Sequence, residues 1–278
     1  MVPGATYSWE DAPDNLTDTV KMGKTPYWEA IRSLMYASIA TRPDIAFTVS
    51  TLSQFLKNPG IAHWEAVKWI FRYLSGTKAY QLTYGAEKND LIGYTDTDGI
   101  NQEYHHAISG NMFLIDRGAI SWSSWKQELI TLSTAEAEYM AAMHAAKEAI
   151  WLCKLIFELF PMSTVPTPLY CDNQAALALA TADNYHARTK HINIRYHFIC
   201  NVVIKGSINL IYCATEEMTA DTLTKPLPKW KMTSHNLSLR LYHICGGVAE
   251  LVLPKAEKGY HSNVEHPEAQ GLAFASPA

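Results

Sequence analysis

The sequence lacks the features of a membrane or secreted protein. No apolar run in its 278 residues approaches the ~20 residues that a membrane span requires. The first residues lack the basic segment followed by an apolar segment that makes a secretion signal. The five cysteines are scattered, and no two of them form a CxxC pair. Such cysteines are typical of reduced thiols, so we expect a cytoplasmic or nuclear protein that is not secreted.

A large excess of one charge is also absent. The sequence has 23 Lys and Arg against 27 Asp and Glu, for a formal net charge of −4. This balance argues against a protein that binds nucleic acid through bulk charge alone. It does not exclude a local basic track, because carboxylates that hold metal ions count as negative until the metals bind.

Hydrophobic periodicity divides the chain into three parts. Apolar residues at three- and four-residue spacing predict helices at residues 27–40, 45–56 and 62–74. Residues 1–78 are therefore expected to form a small helical module. Short β-type runs and helices then follow in the order βββαβααβα, which predicts an α/β domain over residues 79–245. Residues 246–278 have no periodicity and are expected to form a loose tail.

Four acidic residues of the predicted α/β domain stand at strand ends or near helix starts. Asp96 and Asp172 each follow an apolar strand, Asp221 opens a short helix after a third strand, and Glu138 lies in the first turns of a long helix. Side chains at strand ends converge on one edge of an α/β sheet. Four carboxylates there would repel one another unless divalent cations lay between them. Mg²⁺ suits such a site because it prefers oxygen ligands.

Each acidic position also has a purely structural interpretation. An Asp after a strand is more often a turn or helix-capping residue, and Glu138 alone is compatible with a solvated surface group. The prediction therefore depends on the set of four and not on any one member. Glu136 is left out, because Ser133 and Glu136 have the spacing of a capping box at the start of the long helix.

Longer blocks of sequence carry a family resemblance. In chain order they are GYTDTDG (93–99), SGNMFLIDRGAISWSS (109–124), TLSTAEAEYMAAMHAAKEAIWL (131–152), LYCDNQAALALA (169–180), HARTKHINIRYHFI (186–199) and ADTLTKPLPKWK (220–231). They resemble the ribonuclease H domain of copia-type retrotransposon polyproteins. Residues 33–77 are similar to the thumb and connecting segment of the reverse transcriptase in the same polyproteins. The HARTKH stretch is most similar to fungal elements.

This resemblance implies a fold and an activity. The fold would be a ribonuclease H-like α/β fold, with a mixed five-stranded sheet flanked by helices and preceded by the helical module. The family's catalytic positions fall on Asp96, Glu138, Asp172 and Asp221, which would hold two Mg²⁺ ions, or Mn²⁺ in their place. The activity would be two-metal cleavage of the RNA strand of an RNA–DNA hybrid. Because the helical module would belong to the polymerase, we expect it to make few contacts with the sheet domain.

The substrate and the other reverse transcriptase domains are the expected partners. A hybrid is recognised by its shape, its 2′-hydroxyls and its phosphates. The residues expected to bind it are Asn173, Gln174, Arg188, Lys190 and Arg195, with further lysines at 225, 229 and 231. For the lysines the alternative is ordinary surface charge, and Asn173 has the alternative of a helix N-cap.

Three departures from the family pattern favour a second hypothesis, an inactive remnant that folds and binds nucleic acid weakly. The paired-aspartate motif of the polymerase is absent, so this fragment alone is not expected to polymerise DNA. No histidine precedes Asp221 closely, and Trp69 and Trp125 replace basic residues. The presence of all four acids favours the active enzyme. It also argues against a purely structural connection domain, in which at least one acid should be lost.

Overall fold

The computed structural model describes residues 7–85, 90–98, 106–128, 130–131, 133–159, 166–181, 193–245 and 248–249. Most of the predicted C-terminal tail lies outside these ranges, as do Arg188 and Lys190. Among the described residues, no helix has both the length and the apolar character needed to cross a membrane.

The N-terminal part is helical, as predicted. Its helices are α1 (Leu16–Gly23), α2 (Tyr27–Ala40), α3 (Ala46–Ser53) and α4 (Ile61–Gly76). The last three correspond to the predicted helices, whereas α1 was not predicted. Apolar side chains from α2, α3 and α4 form a shared core, which includes Ile31, Leu34, Val49, Leu52, Val67 and Ile70. The apolar stripe of each helix is therefore buried against the other two.

The second part alternates strands and helices. Its strands are β1 (Tyr80–Leu82), β2 (Leu91–Asp98), β3 (Ile108–Ile115), β4 (Gly118–Lys126), β5 (Thr167–Cys171), β6 (Ile208–Tyr212), β7 (Leu241–Cys245) and β8 (Val248–Ala249). Its α-helices are α5 (Thr134–Leu159), α6 (Gln174–Thr181), α7 (Asn193–Ile204) and α8 (Lys229–Ser238). A 3₁₀ helix at Thr219–Leu223 stands where the sequence predicts a short helix.

Five of the strands form one mixed sheet in the order β4-β3-β2-β5-β6. The neighbours β2, β5 and β6 run parallel, while β3 is antiparallel to both β2 and β4. This order and the helices around it confirm the predicted ribonuclease H-like α/β fold. Strand β1 lies outside this sheet and pairs with β7.

Helix α5 packs closely on the sheet because its contact face is built from alanines. Ala142, Ala145, Ala146 and Ala149 are buried in one core with Phe113 of β3 and Leu169 of β5. Small side chains let the helix axis approach the strands, and this places the first turns of α5 beside the strand ends. The acidic residue in those turns is therefore brought to the edge of the sheet.

The expectation of few contacts between the helical module and the sheet domain is wrong. Trp122 Nε1 donates a hydrogen bond of 2.7 Å to the backbone oxygen of Ser38, and Ser50 Oγ donates one of 2.9 Å to that of Ser124. Ala46 of α3 packs in one core with Met112 and other apolar side chains of β3 and β4. The face of the sheet opposite α5 is apolar and must be covered, and the module covers part of it.

Candidate active site

Two of the predicted acids lie at the same edge of the sheet. Asp96 is near the end of β2 and only 2% exposed, and Asp172 directly follows β5. Because β2 and β5 are parallel neighbours, their carboxyl ends meet at this edge. Thr215 Oγ1 donates a hydrogen bond of 2.9 Å to Asp172 Oδ2, which fixes one oxygen of that carboxylate.

Glu138 reaches the same edge from the first turns of α5. Its side chain is 6% exposed, and its Oε2 has no hydrogen-bond partner within the part of the chain that the structure describes. One carboxylate oxygen of Glu138, the Cys171 sulfur and one carboxylate oxygen of Asp172 lie within 4.8 Å of one another.

Glu136, two residues before Glu138, has a different local role. Its backbone amide donates to Ser133 Oγ at 3.2 Å, as a Ser133 N-cap requires.

Asp221 lies on the 3₁₀ helix, which packs on the face of the sheet opposite α5. The approach depends on Gly110, which is the register partner of Asp96 on β3. A Cβ on Gly110 would lie 2.6 Å from the Cβ of Leu223, a distance too short for two carbon atoms. Only glycine at this position lets the 3₁₀ helix pack so closely, and the Asp221 side chain is fully buried as a result.

Two lysines neutralise part of this charge. Lys225 Nζ lies 2.8 Å from Asp221 Oδ1 and 3.9 Å from Asp96 Oδ2, and Lys231 Nζ lies 2.5 Å from Asp221 Oδ2. Thr224 Oγ1 donates a hydrogen bond to Asp96 Oδ2. Burial lowers the pKa of Lys225, but the carboxylates of Asp96 and Asp221 outweigh this, so its pKa is raised. Both lysines were expected to bind substrate, whereas the structure pairs them with the acids.

The electrostatics of the site show how closely the acids interact. Burial, followed by repulsion from Asp96 and Asp172, raises the pKa of Glu138 to about 9. Burial also raises the pKa of Asp96 to about 7, with the attraction of Lys225 opposing it and repulsion from Asp221 and Asp172 adding to it. Each of the four acids thus influences at least one of the others, although they come from four separate elements.

The residues present fit a divalent cation. The site offers carboxylate oxygens from several directions, and it includes a buried Glu138 oxygen that is unpartnered among the described residues. Such an oxygen costs free energy unless a proton or a cation satisfies it. Carboxylate oxygens at a partly solvated edge are the ligands that Mg²⁺ and Mn²⁺ prefer.

The predicted substrate-binding residues are only partly placed. Asn173 caps helix α6, since its Oδ1 accepts a hydrogen bond of 3.0 Å from the amide of Ala176. This is the structural alternative considered for it. Gln174 is exposed at the first position of α6, beside Asp172. Arg195 belongs to α7, but its side chain is outside the described part, as are Arg188 and Lys190 entirely.

Comparisons with known proteins find similarity to transposon polyproteins and to one effector protein. It is 45% identical over 220 residues to a retrovirus-related Pol polyprotein from transposon TNT 1-94 of Nicotiana tabacum, an alignment covering 79% of this chain and 16% of the polyprotein. It is 35% identical to the Pol polyprotein from transposon RE2 of Arabidopsis thaliana, an alignment covering 82% of this chain and 16% of that polyprotein. It is also 41% identical to secreted RxLR effector protein 161 of Plasmopara viticola, covering 47% of this chain and 94% of that protein. No family model matches the chain.

Among solved structures, the chain is similar to LC11-RNase H1 in complex with an RNA/DNA hybrid, with 14% identity and a TM-score of 0.37. This match covers 49% of this chain and 94% of that one. The plant transposons show higher identity than the yeast Ty5-1 protein at 32%, so the expectation of a fungal element is not supported. The chain spans about a sixth of the length of the plant polyproteins it matches. It is therefore homologous to part of the Pol polyproteins of copia-type retrotransposons.

Proposed function

We propose that this chain is a ribonuclease H-type endonuclease that cleaves the RNA strand of RNA–DNA hybrids as part of a retrotransposon reverse transcriptase. One observation carries the proposal. Asp96, Glu138, Asp172 and Asp221 reach one edge of the sheet from four separate elements, and a buried oxygen of Glu138 is left for a cation. Hydrolysis at such a site needs no nucleophile from the protein.

The four acids would hold two Mg²⁺ ions, with Mn²⁺ able to replace them. When bound, such ions activate a water molecule and stabilise the charge that grows on the leaving 3′-oxygen. The protein's own contribution is to position and orient the carboxylates. Thr224 holds one oxygen of Asp96, and Thr215 holds one of Asp172, so each carboxylate keeps its other oxygen for the cation. Burial of Asp221 excludes water from the inner side of the site.

The paired lysines would limit repulsion before metal and substrate arrive. Lys225 lies beside both Asp96 and Asp221, so one ammonium offsets two buried carboxylates. Its side chain is 27% exposed, which leaves it room to move away from Asp96. A phosphate bound at the edge of the sheet would offer that ammonium a new partner, since lysine binds phosphate as a point charge.

The remaining polyprotein domains are proposed as partners. The matched relatives are far longer than this chain, and the helices at its N-terminal end would be the thumb and connecting segment of the reverse transcriptase. A reducing compartment, cytoplasmic or nuclear, is proposed as well. Within the described part of the chain, Cys153, Cys171, Cys200 and Cys213 are free thiols.

Hybrid cleavage by the purified protein tests the proposal. The substrate is a hybrid labelled on its RNA strand, and the matched controls are single-stranded RNA, duplex DNA and a hybrid labelled on its DNA strand. We expect cuts in the RNA strand of the hybrid with Mg²⁺ and none with a chelator. A folded protein that binds Mg²⁺ but leaves the hybrid intact would instead be the inactive remnant. Equal cutting of duplex DNA would contradict the substrate class.

A further inference from the structure

A sulfur atom lies among the carboxylates of the site. The Sγ of Cys171, a carboxylate oxygen of Glu138 and one of Asp172 are mutually within 4.8 Å. Cys171 is the last residue of β5 and only 1% exposed. The backbone amide of Asn173 lies 3.5 Å from the sulfur and directs a weak hydrogen bond at it, which restrains its position. The thiol therefore belongs to the wall of the site and not to the surface.

A second observation points to a cation at this cluster. Glu138 is 6% exposed, and its Oε2 is without a hydrogen-bond partner among the residues the structure describes. The same side chain supplies one of the three clustered donor atoms. A buried acceptor with no donor, next to a buried sulfur and a second carboxylate, is an arrangement that a metal ion satisfies directly.

The donor atoms of the cluster determine which metal ions bind more tightly because of the sulfur. Mg²⁺ takes oxygen ligands and has little affinity for sulfur, whereas Zn²⁺ and related softer ions bind thiolate and carboxylate together. A tetrahedral Zn²⁺ with these ligands sets its donor atoms about 3.5 Å apart, from Zn–S and Zn–O bonds of ~2.3 and ~2.1 Å. The cluster spans at most 4.8 Å, so small side-chain rotations close it.

We propose that Glu138, Cys171 and Asp172 form a binding site for Zn²⁺ or Cd²⁺ that competes with magnesium. The metal forms a bond to the sulfur, the S–H bond breaks, and its proton leaves to water, with no change of oxidation state. A fourth position stays open to water. Since Glu138 and Asp172 are shared, occupancy by a soft ion excludes Mg²⁺ from the same carboxylates. Inhibition of cleavage rests on the proposed function, but the metal–sulfur bond does not.

Cadmium absorbance tests the bond without any assay of activity. Cd²⁺ bound to a thiolate has a charge-transfer band in the ultraviolet, and the probe is Cd²⁺ added to the metal-free full-length protein. We expect the band to saturate at about one ion per chain and to be abolished in Cys171→Ser. The matched control is Cys153→Ser, which removes an exposed cysteine of α5 far along the helix from Glu138 and should keep the band.

One further variant keeps the test decisive. Glu138→Gln retains the sulfur but removes one ligand, so we expect the Cd²⁺ dissociation constant to rise about tenfold or more, which corresponds to ~1.4 kcal/mol. If Cys171→Ser fails to fold, the Cd²⁺ dissociation constant of Glu138→Gln tests the proposed site in its place. A band that survives in Cys171→Ser, or that disappears in Cys153→Ser, overturns the proposed site. An unchanged Cd²⁺ affinity in folded Glu138→Gln overturns it as well.

The hybrid assay separates this inference from the proposed function. Zn²⁺ should inhibit Mg²⁺-dependent cleavage by the wild-type protein, and excess Mg²⁺ should relieve that inhibition. A protein that shows the Cys171-dependent band but never cleaves hybrid refutes the proposed function and leaves the soft-metal site standing. A protein that cleaves hybrid in Mg²⁺ but shows no such band refutes only the soft-metal site.

Discussion

Replacing Glu138 by Gln should stabilise the metal-free protein and remove metal-dependent cleavage. Glu138 is buried beside Asp96 and Asp172, and these surroundings raise its pKa to about 9. A carboxyl group whose pKa is higher in the folded state binds protons more tightly when folded. Its contribution to the free energy of unfolding therefore decreases as the pH rises from its unfolded pKa of ~4.3 toward its folded value.

The size of this effect follows from the two pKa values. Each pH unit between them lowers the free energy of unfolding by about 1.4 kcal/mol. The Glu138 carboxyl group therefore destabilises the folded protein by ~1 kcal/mol at pH 5 and ~4 kcal/mol at pH 7. Glutamine does not titrate, but its buried amide needs donors and acceptors of its own and loses roughly 1–3 kcal/mol in the exchange. A net gain of about 2 kcal/mol at pH 7 would raise the melting temperature by ~4–8 °C in a domain of this size.

The assay is thermal unfolding of both proteins with a chelator at pH 5, 6, 7 and 8. The stability difference in favour of Glu138→Gln should grow with pH, and saturating Mg²⁺ should reduce it, because the wild-type carboxylate then binds a cation. The matched control is Glu136→Gln, two residues earlier on α5. A Glu138→Gln variant that is no more stable at pH 8 than at pH 5, relative to wild type, would refute the reasoning.

Four substitutions have further expected outcomes. Asp172→Asn should lower hybrid cleavage by orders of magnitude, whereas Glu136→Gln should leave cleavage and stability nearly unchanged, because glutamine also serves at the third position of a capping box; equal losses of activity would mean that the wrong glutamate has been assigned. Lys225→Met should lower the melting temperature most in chelator and less in Mg²⁺, and an equal loss in both would contradict its counter-charge role. Tyr73→Phe should cost about 1–3 kcal/mol in urea unfolding, because its hydroxyl donates to buried Asp44 at 2.6 Å.

The acids could be predicted because their signal is local. Apolar runs end directly at Asp96 and Asp172, and strand ends gather at one edge in any α/β sheet. The position of Glu138 in the first turns of α5 could be predicted because the capping residues fix where this helix begins. The main helices and strands carry strong periodicity, so the element order of the domain could also be predicted from the sequence.

The contacts of Lys225 with Asp96 and of Lys231 with Asp221 could not be predicted, because they depend on how separate segments pack together. Lys231 lies in α8, whose buried residues in the structure are the polar His235 and Asn236, so no apolar stripe marks this helix. The strand after it begins once the chain turns at Arg240, which has a φ of 52°. Contacts such as those of Lys231 with Asp221 arise only after the chain turns back toward the sheet.

The position of Cys171 was missed for a different reason. Alternation along a strand predicts that neighbours face opposite sides, so a cysteine before a site aspartate should point away from the site. Strand β5 ends at Cys171, and Asp172 is no longer bound by that alternation. The sulfur and the carboxylate can then approach the same point from consecutive residues.

Anomalous diffraction from Mn²⁺ in crystals of the protein with an uncleaved hybrid tests the central claim most directly. The four carboxylates are predicted to hold two ions ~3.5–4 Å apart, beside a phosphate of the RNA strand. Asp96, Glu138, Asp172 and Asp221 should each ligate at least one of them. Ions found elsewhere on the protein, with these four side chains unligated beside the bound hybrid, would contradict the account.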